Sequence, residues 1–314
     1  MRRLISTVNL SKEEWLRVRK TGLTGTDAAC ICGLNPYKSA FAVYQDKISS
    51  EIEQFDNEAM RQGRDMEEYV AKRFEEKTGM KVRRANAIFQ SDEHPILLAD
   101  FDRFIVGLQD GKKAGLECKT VSPYSSEKWK DGEIPIHYQI QVQHYLAVSG
   151  YDCWYVAALI FGQEFIIRKI ERDEELIRAL IVIEERFWNE NVAKRVMPDP
   201  DGSKSCTEQI AKQYFKADKE KSIELTGVDD DLKRREELVG LIDKLEKEKA
   251  AIEQKVQLQM EDAAYGISSE YKVSWVTTES KRLDTKKLKE EQPDMYNQYS
   301  NISSCRRFTV RHAA

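Results

Sequence analysis

The chain has 314 residues, of which 41% are hydrophobic and 33% are charged, with a formal net charge of -4. That length exceeds one average domain, and the apolar share supports a full core under a well-solvated surface. No apolar run reaches the ~18 to 20 residues that a membrane span needs, and the N-terminal Met-Arg-Arg-Leu-Ile leads into no signal-peptide core, so a cytosolic protein with no membrane partner is expected. The six cysteines (30, 32, 118, 153, 206 and 305) are scattered, without the paired CxxC spacing of a zinc or iron–sulfur site, and read as reduced thiols. Residues 271 to 314 hold nine Lys/Arg against five Asp/Glu, a net +4 that leaves -8 for the rest. Any contact with nucleic acid must therefore be local.

In chain order, residues 11 to 20 read as a helix with Ser11 as N-cap, Glu14 completing a capping box and Arg19 near its end. The stretch Thr21-Gly-Leu-Thr24-Gly-Thr26-Asp27 brings hydroxyls and glycines to the start of a short apolar helix that stops at Asn35-Pro36. With Arg19 nearby, it suits a terminal phosphate or is an ordinary helix cap. A helix follows over 39 to 50, with Phe41, Val43, Tyr44 and Ile48 as candidate core positions. A long amphipathic helix is expected from about 57 to 78, closed by Gly79, with Met60, Gly63, Glu67, Val70, Ala71 and Phe74 on one face. Glu67 is a carboxylate on an apolar stripe, which implies a buried partner or cation, or else a place at the stripe's edge.

Strand patterns come next at 81 to 82, 87 to 90, 96 to 99, 103 to 106 and 114 to 120, with a Gly/Asp/Lys turn across 107 to 115. Residues 97 to 119 read as neighbouring strands joined by that turn, with Asp102, Glu117 and Lys119 gathered near one sheet edge. Residues 136 to 149 form a helix on which Tyr138, Gln141 and Tyr145 share a face, flanked by His137 and His144 as phosphate contacts or as plain hydrogen-bonded helix residues. A hairpin over 153 to 170 and an apolar helix over 173 to 192 complete an α/β (α+β) core. Turn formers and charge from Met197 mark a boundary. The division is thus a domain at 1–196, a linker at 197–228 and a C-terminal extension at 229–314. The extension opens with a charged helix whose narrow stripe is Leu238, Leu241, Ile242, Leu245, Ile252 and Val256, and adds strand-like 271 to 277, a short helix at 284 to 291 and alternating 306 to 311.

The chemistry follows from the carboxylates. Hydrolysis of a phosphodiester develops charge on the attacking and leaving oxygens, and a pair of hard divalent cations held by oxygen ligands offsets it. Asp102, Glu117 and Glu67, with the backbone carbonyl of Cys118, would be such ligands. Lys119 shares the face of Glu117 because strand side chains alternate, and would orient the attacking water. A Glu-x-Lys triplet alone is weak evidence: Glu246-Lys247-Glu248-Lys249 contains one on a solvated helix, and a cross-strand salt bridge explains Glu117 and Lys119 equally well.

Four motifs in order carry a resemblance to the lambda exonuclease/YqaJ-like viral recombinase family of the PD-(D/E)xK nuclease superfamily. They are Arg19 with Thr26 seven residues on, Gly63-Arg-Asp-Met-Glu67, Ala99-Asp-Phe-Asp102-Arg103 with Leu116-Glu117-Cys118-Lys119, and Tyr138-Gln-Ile-Gln141-Val-Gln143. Many relatives have serine where Thr26 stands and proline where Phe101 precedes Asp102, so Asp100 stays open as the ligand instead of Asp102. The resemblance implies a PD-(D/E)xK core, a mixed sheet flanked by helices. It also implies Mg²⁺-dependent (or Mn²⁺-dependent) digestion of double-stranded DNA from 5′ ends, leaving 3′ single strands for an annealing protein. Arg19, Thr24, Thr26 and Gln141 would hold the 5′ phosphate, with Tyr138 near the reacting strand. A homo-trimer and a phage or prophage origin in a bacterial cytoplasm are implied likewise. An endonuclease of the same fold, or a non-catalytic DNA-binding scaffold, are the competing readings.

Overall fold

The computed structural model describes residues 1–52, 56–108 and 111–312, and the chain divides into two compact units, Met1–Gln213 and Tyr214–Ala314. Strand β1 (Arg2–Ser6) and helix α1 (Lys12–Arg19) open the first unit; α1 carries the expected capping box, in which Ser11 and Glu14 satisfy each other's backbone N–H. Helices α2 (Gly25–Ile31) and α3 (Ala40–Ile48) follow, then α4 (Glu58–Thr78), which starts at Asn57 as N-cap and stops at Gly79 in the left-handed conformation. The C-terminal half of its stripe is buried as the periodicity predicts: Val70, Ala71 and Phe74 are sealed against the sheet, each large side chain contributing about 1.5–3 kcal/mol, whereas Met60, expected on the same stripe, is 47% exposed near the helix start.

Strands β2 (Lys81–Arg84), β3 (Ala87–Gln90), β4 (Leu98–Ala99), β5 (Arg103–Val106) and β6 (Ala114–Val121) come next. The turn expected across 107 to 115 runs through residues 109 and 110, which lie outside the described residues. Beyond a 3-10 segment (Pro123–Gly132) lie α5 (Ile136–Ser149), β7 (Cys153–Ile160), β8 (Glu164–Glu171) and α6 (Glu174–Arg186). The last helix widens into a π-helical turn (Phe187–Val192).

One expectation needs correcting. The run 97 to 99 and the strand bearing Glu117 are not neighbours: β4 belongs to a three-stranded sheet of order β1-β3-β4, whereas β5 and β6 lie in the central five-stranded sheet of order β2-β5-β6-β7-β8. Asp100 and Asp102 occupy the crossing between the two sheets. The central sheet is mixed: β6 and β7 are parallel and its other pairings antiparallel. Helix α4 covers one face and α5 the other, an α/β architecture as expected.

Helix α7 (Lys204–Gln213) belongs to the first unit, which therefore extends past residue 196, where composition alone places its end. Cys206 is 1% exposed, and Ser205 and Gln213 hydrogen-bond Ser39 and Gln45 beside α3. One small buried residue and two polar contacts anchor this helix, too little apolar pattern to register in the sequence.

In the second unit, α8 (Asp229–Met260) is the expected charged helix; Leu238, Leu241, Ile242, Leu245 and Ile252 on its stripe are exposed. A two-stranded antiparallel ribbon of β9 (Tyr265–Ile267) and β10 (Lys272–Ser274) follows, then α9 (Thr285–Glu291) and α10 (Pro293–Tyr299). The alternation at 306 to 311 forms no strand, since alternation without a neighbouring edge makes no ladder. Among the described residues no helix is long and apolar enough to cross a membrane.

Candidate active site

Strand β6 supplies the centre. Register pairs Arg103 with Leu116, so one step outward Asp102 lies opposite Glu117. Alternation sends Leu116 to the face under α4, where it packs with Val70 and Phe74, and Glu117 and Lys119 to the face under α5. There Lys119 Nζ donates to Glu117 Oε1 at 2.7 Å and to Gln141 Oε1 at 3.3 Å, while Gln141 Nε2 donates to the same Glu117 oxygen at 2.8 Å and to the Tyr145 hydroxyl at 2.7 Å. Lys119 Nζ also lies 4.6 Å from the centroid of the Tyr138 ring. Tyr138, Gln141 and Tyr145 thus act from one helix face, as their spacing predicts.

Two glycines let these layers close. A Cβ at Gly25 would lie 2.8 Å from the Tyr145 ring and 3.0 Å from Gln141, and one at Gly115 would lie 2.2 Å from Trp154. Only glycine admits α2 onto α5, and Trp154 onto β6, at those distances. Gly63 is different: a Cβ there would meet only Thr120 Oγ1, at an ordinary 3.5 Å, so packing within this chain does not require that glycine.

The three carboxylates do not sit on one face. Asp102 Oδ2 accepts the Cys118 N–H at 2.7 Å, which uses the Cys118 backbone to fix Asp102 beside Glu117. Glu67 reaches the rim from α4 and is bound by Arg103, a guanidinium only 3% exposed that also bonds Glu68 at 3.0 Å. Glu67 is 30% exposed and Glu68 67%, so Glu67 is the more inward of the two. Burial, then Glu117 and Glu67, push the Asp102 carboxyl well above the usual range; burial also raises Glu117, aided by Asp100 and Glu67 and opposed by Lys119. Lys119 moves upward too: burial alone would lower it, but the Glu117 carboxylate outweighs that and keeps the ammonium charged.

Asp100 and Asp102 take different partners. Asp100 is paired with Arg19, away from the Cys118 N–H. Arg19 in turn donates to Thr24 and Thr26 Oγ1, both at 3.1 Å, and stacks on Trp15 at 4.4 Å. Beneath this cluster Lys47 Nζ binds the Arg19 carbonyl and Asp27, each at 2.8 Å, in a pair 2% and 5% exposed. Burial would raise Asp27, yet Lys47, Lys38 and Arg19 hold it well below the carboxylate range. Gln141, expected in the phosphate cluster, is 4% exposed and bonds Lys119, Glu117 and Tyr145, while its side chain also packs on Gly25 between Thr24 and Thr26.

The sequence pattern left Arg103 and His144 without these roles. A charged residue inside an apolar strand pattern is the signal that could have flagged Arg103. His144 is fully buried, its Nδ1 2.7 Å from Glu184 and its Nε2 2.8 Å from the Leu98 carbonyl. It ties α5 and α6 to the strand that leads to Asp100.

The cation implied by the resemblance can be tested against these groups. Glu117 Oε2 is buried with no hydrogen-bond partner among the described residues, beside a second, partly buried carboxylate at Asp102. Hard oxygen donors with an open valence fit a divalent cation. Among the described residues no three His, Cys, Asp or Glu side chains converge as a ready metal site, and Glu67 is engaged by Arg103. The cysteines are free thiols, with 30, 153 and 206 buried.

Comparisons with known proteins agree with this architecture. A family model described as the YqaJ-like viral recombinase domain matches residues 14–152. Over 315 aligned residues the chain is 38% identical to the "Uncharacterized protein YqaJ" of Bacillus subtilis (strain 168), spanning 99% of this chain and 98% of that one. Of solved structures, an alkaline exonuclease (LHK-Exo) from Laribacter hongkongensis superposes with a TM-score of 0.50 at 19% identity, covering 64% of this chain and 100% of that chain. The same protein in complex with dAMP gives a TM-score of 0.50 at 19% identity, covering 65% and 98%. At that identity the likeness shows a shared fold.

Proposed function

We propose that this chain, which belongs to the YqaJ-like viral recombinase family, is a deoxyribonuclease that uses divalent cations to degrade double-stranded DNA from a 5′ end. The observation that carries the reading is the buried Glu117–Lys119 pair facing Asp102. Three ionisable side chains gathered under α5, two of them carboxylates raised by burial, oppose stability and call for a function. The shared fold with an alkaline exonuclease supports the reaction class.

Asp102 and Glu117 would hold Mg²⁺, or Mn²⁺ in its place, with Glu67 joining once released from Arg103; the Cys118 carbonyl is a further candidate ligand. Bound there, one or two such ions would supply Lewis-acid stabilisation of the attacking and leaving oxygens. Lys119, kept charged by Glu117, would orient a water through its one remaining N–H donor and offset negative charge developing on the phosphate. Gln141 holds the lysine and the glutamate in one geometry, and Tyr145 holds Gln141. Arg19, Thr24 and Thr26 form the phosphate cradle, where an incoming 5′ phosphate would compete with Asp100 for the guanidinium. Tyr138 borders the reacting strand.

The biological reading is 5′-end resection that leaves 3′ tails for a single-strand annealing partner, by a homo-trimer in a bacterial cytoplasm. The test is digestion of linear duplexes labelled at either end, with and without Mg²⁺, using Lys119→Ala as control. Release of the 5′ label first, only with the cation and not by the variant, is expected. Undiminished cleavage by the variant would sink the mechanism, and efficient cutting of closed circles would make the enzyme an endonuclease.

A further inference from the structure

A row of rings leads from Lys119 to solvent. Its ammonium lies over the Tyr138 ring, the Tyr138 and His137 centroids are 4.1 Å apart, and His137 meets Tyr37 edge-on at 6.1 Å and 87°. Trp129, 2% exposed, backs Tyr138 at 5.7 Å. At the outer end Tyr37 is 71% exposed, a large flat ring with most of its surface in water.

The loop that carries Tyr37 is held in place. Asn35 Oδ1 accepts the backbone N–H of Tyr37 at 2.8 Å and of Lys38 at 3.2 Å, and Pro36 between them limits the backbone. Lys38 Nζ lies 3.8 Å from Asp27 and 3.7 Å from Asp46. A preorganised ring loses little entropy when something lands on it. The surroundings of His137 are cationic: after burial, the charges of Lys119 and Lys128 push its imidazole down to about 4, so near neutrality it is an uncharged ring in a positive field.

Flat apolar faces within a positive field, continuous with the group proposed to meet a scissile phosphate, match one ligand chemistry: a nucleotide, with phosphate inward and base on the rings. We propose that the exposed face of Tyr37, with His137 meeting its ring edge-on, forms a stacking platform for an unpaired nucleobase of the strand whose phosphodiester lies at Glu117 and Lys119. Stacking tolerates every base because every base has a π-face, which suits an enzyme that accepts each nucleotide in turn. This proposal deepens the nuclease reading and rests on it for the position of the phosphate.

The test uses the full-length chain carrying Lys119→Ala, so that DNA survives, and 5′-phosphorylated duplexes whose terminal nucleotides are either normal or abasic. Normal ends are expected to bind about tenfold more tightly than abasic ends. Adding Tyr37→Ala should bring that ratio to about one, Tyr37→Phe should restore it, and His137→Ala should reduce it. Terminal 2-aminopurine should be quenched on binding only when a ring stands at position 37. A ratio near one with Tyr37 present, an unchanged ratio in Tyr37→Ala, or an equal loss for both duplexes overturns the platform. Cleavage by the chain with Lys119 intact reads the nuclease separately: cleavage without base preference removes the platform alone, and base preference without cleavage removes the nuclease and leaves a base-binding site.

Discussion

Each of the two units holds a short Glu–Lys ion pair, and the two pairs are nearly identical in length. Lys119 and Glu117 are 2.7 Å apart in the first unit, and Lys249 and Glu246 are 2.6 Å apart in the second. Their surroundings differ: the first pair is 17% and 6% exposed, the second 58% and 62%. On α8, water screens both charges and the pair adds little beyond helix surface complementarity. On β6 the charges are largely withdrawn from water, one carboxylate oxygen has no partner among the described residues, and Asp102 lies alongside. Distance alone therefore says nothing about function here; burial of an incompletely satisfied charge does.

The largest expected effect lies at the buried pair. Lys119→Ala should lower single-turnover DNA cleavage by on the order of 10² to 10³-fold while duplex binding persists, and cleavage within a factor of two of the parent would place this pair with the one on α8. Next comes a second buried ion pair of the first unit, between His144 and Glu184. His144→Ala, which strands Glu184 in a fully buried site, should reduce the unfolding free energy by about 3–5 kcal/mol in urea titrations. A change as small as that of a surface mutant would show that water reaches the pair. Gly115→Ala should destabilise by about 1–3 kcal/mol through overpacking against Trp154, with cleavage reduced as β6 shifts.

The same histidine gives a pH signature. Burial pulls its pKa down, but Glu184 and the Leu98 carbonyl raise it above the unfolded value of about 6.5. Its stabilisation is thus fully present below about pH 6.5 and is lost as pH rises through the folded value. The stability difference between the parent and His144→Gln, followed by urea unfolding across pH 5.5 to about 9, should be greatest at the acid end and shrink toward the alkaline end; a difference that grew with pH would reverse the assignment. The smallest effect belongs to the exposed pair: Glu246→Gln should leave the urea midpoint unchanged within error.

Periodicity and caps were legible wherever a segment's structure depends on its own residues. The Ser11–Glu14 capping box, the α4 stripe closed by Gly79, and the shared face of Tyr138, Gln141 and Tyr145 are set by contacts within a few residues of each other, so spacing suffices to read them. The candidate site was legible as a set of residue types: Glu117 and Lys119 on one face follow from alternation alone. Partners were not legible. The capture of Glu67 by Arg103, the pairing of Asp100 with Arg19 and the seat of Gln141 on Glu117 join residues 24 to 81 positions apart, and the placing of β4 beside β3 in a separate sheet depends on which edge is free to receive it.

By itself, then, the sequence determined the elements, the family resemblance and the inventory of charged groups. Only the tertiary structure decided which charges leave water and which neighbour each one meets, giving Asp102 the Cys118 N–H and Asp100 the Arg19 guanidinium and separating a buried Glu–Lys pair from an exposed one. Local propensity acts over one or two turns of chain, whereas desolvation and ion pairing depend on what long-range packing brings across a sheet.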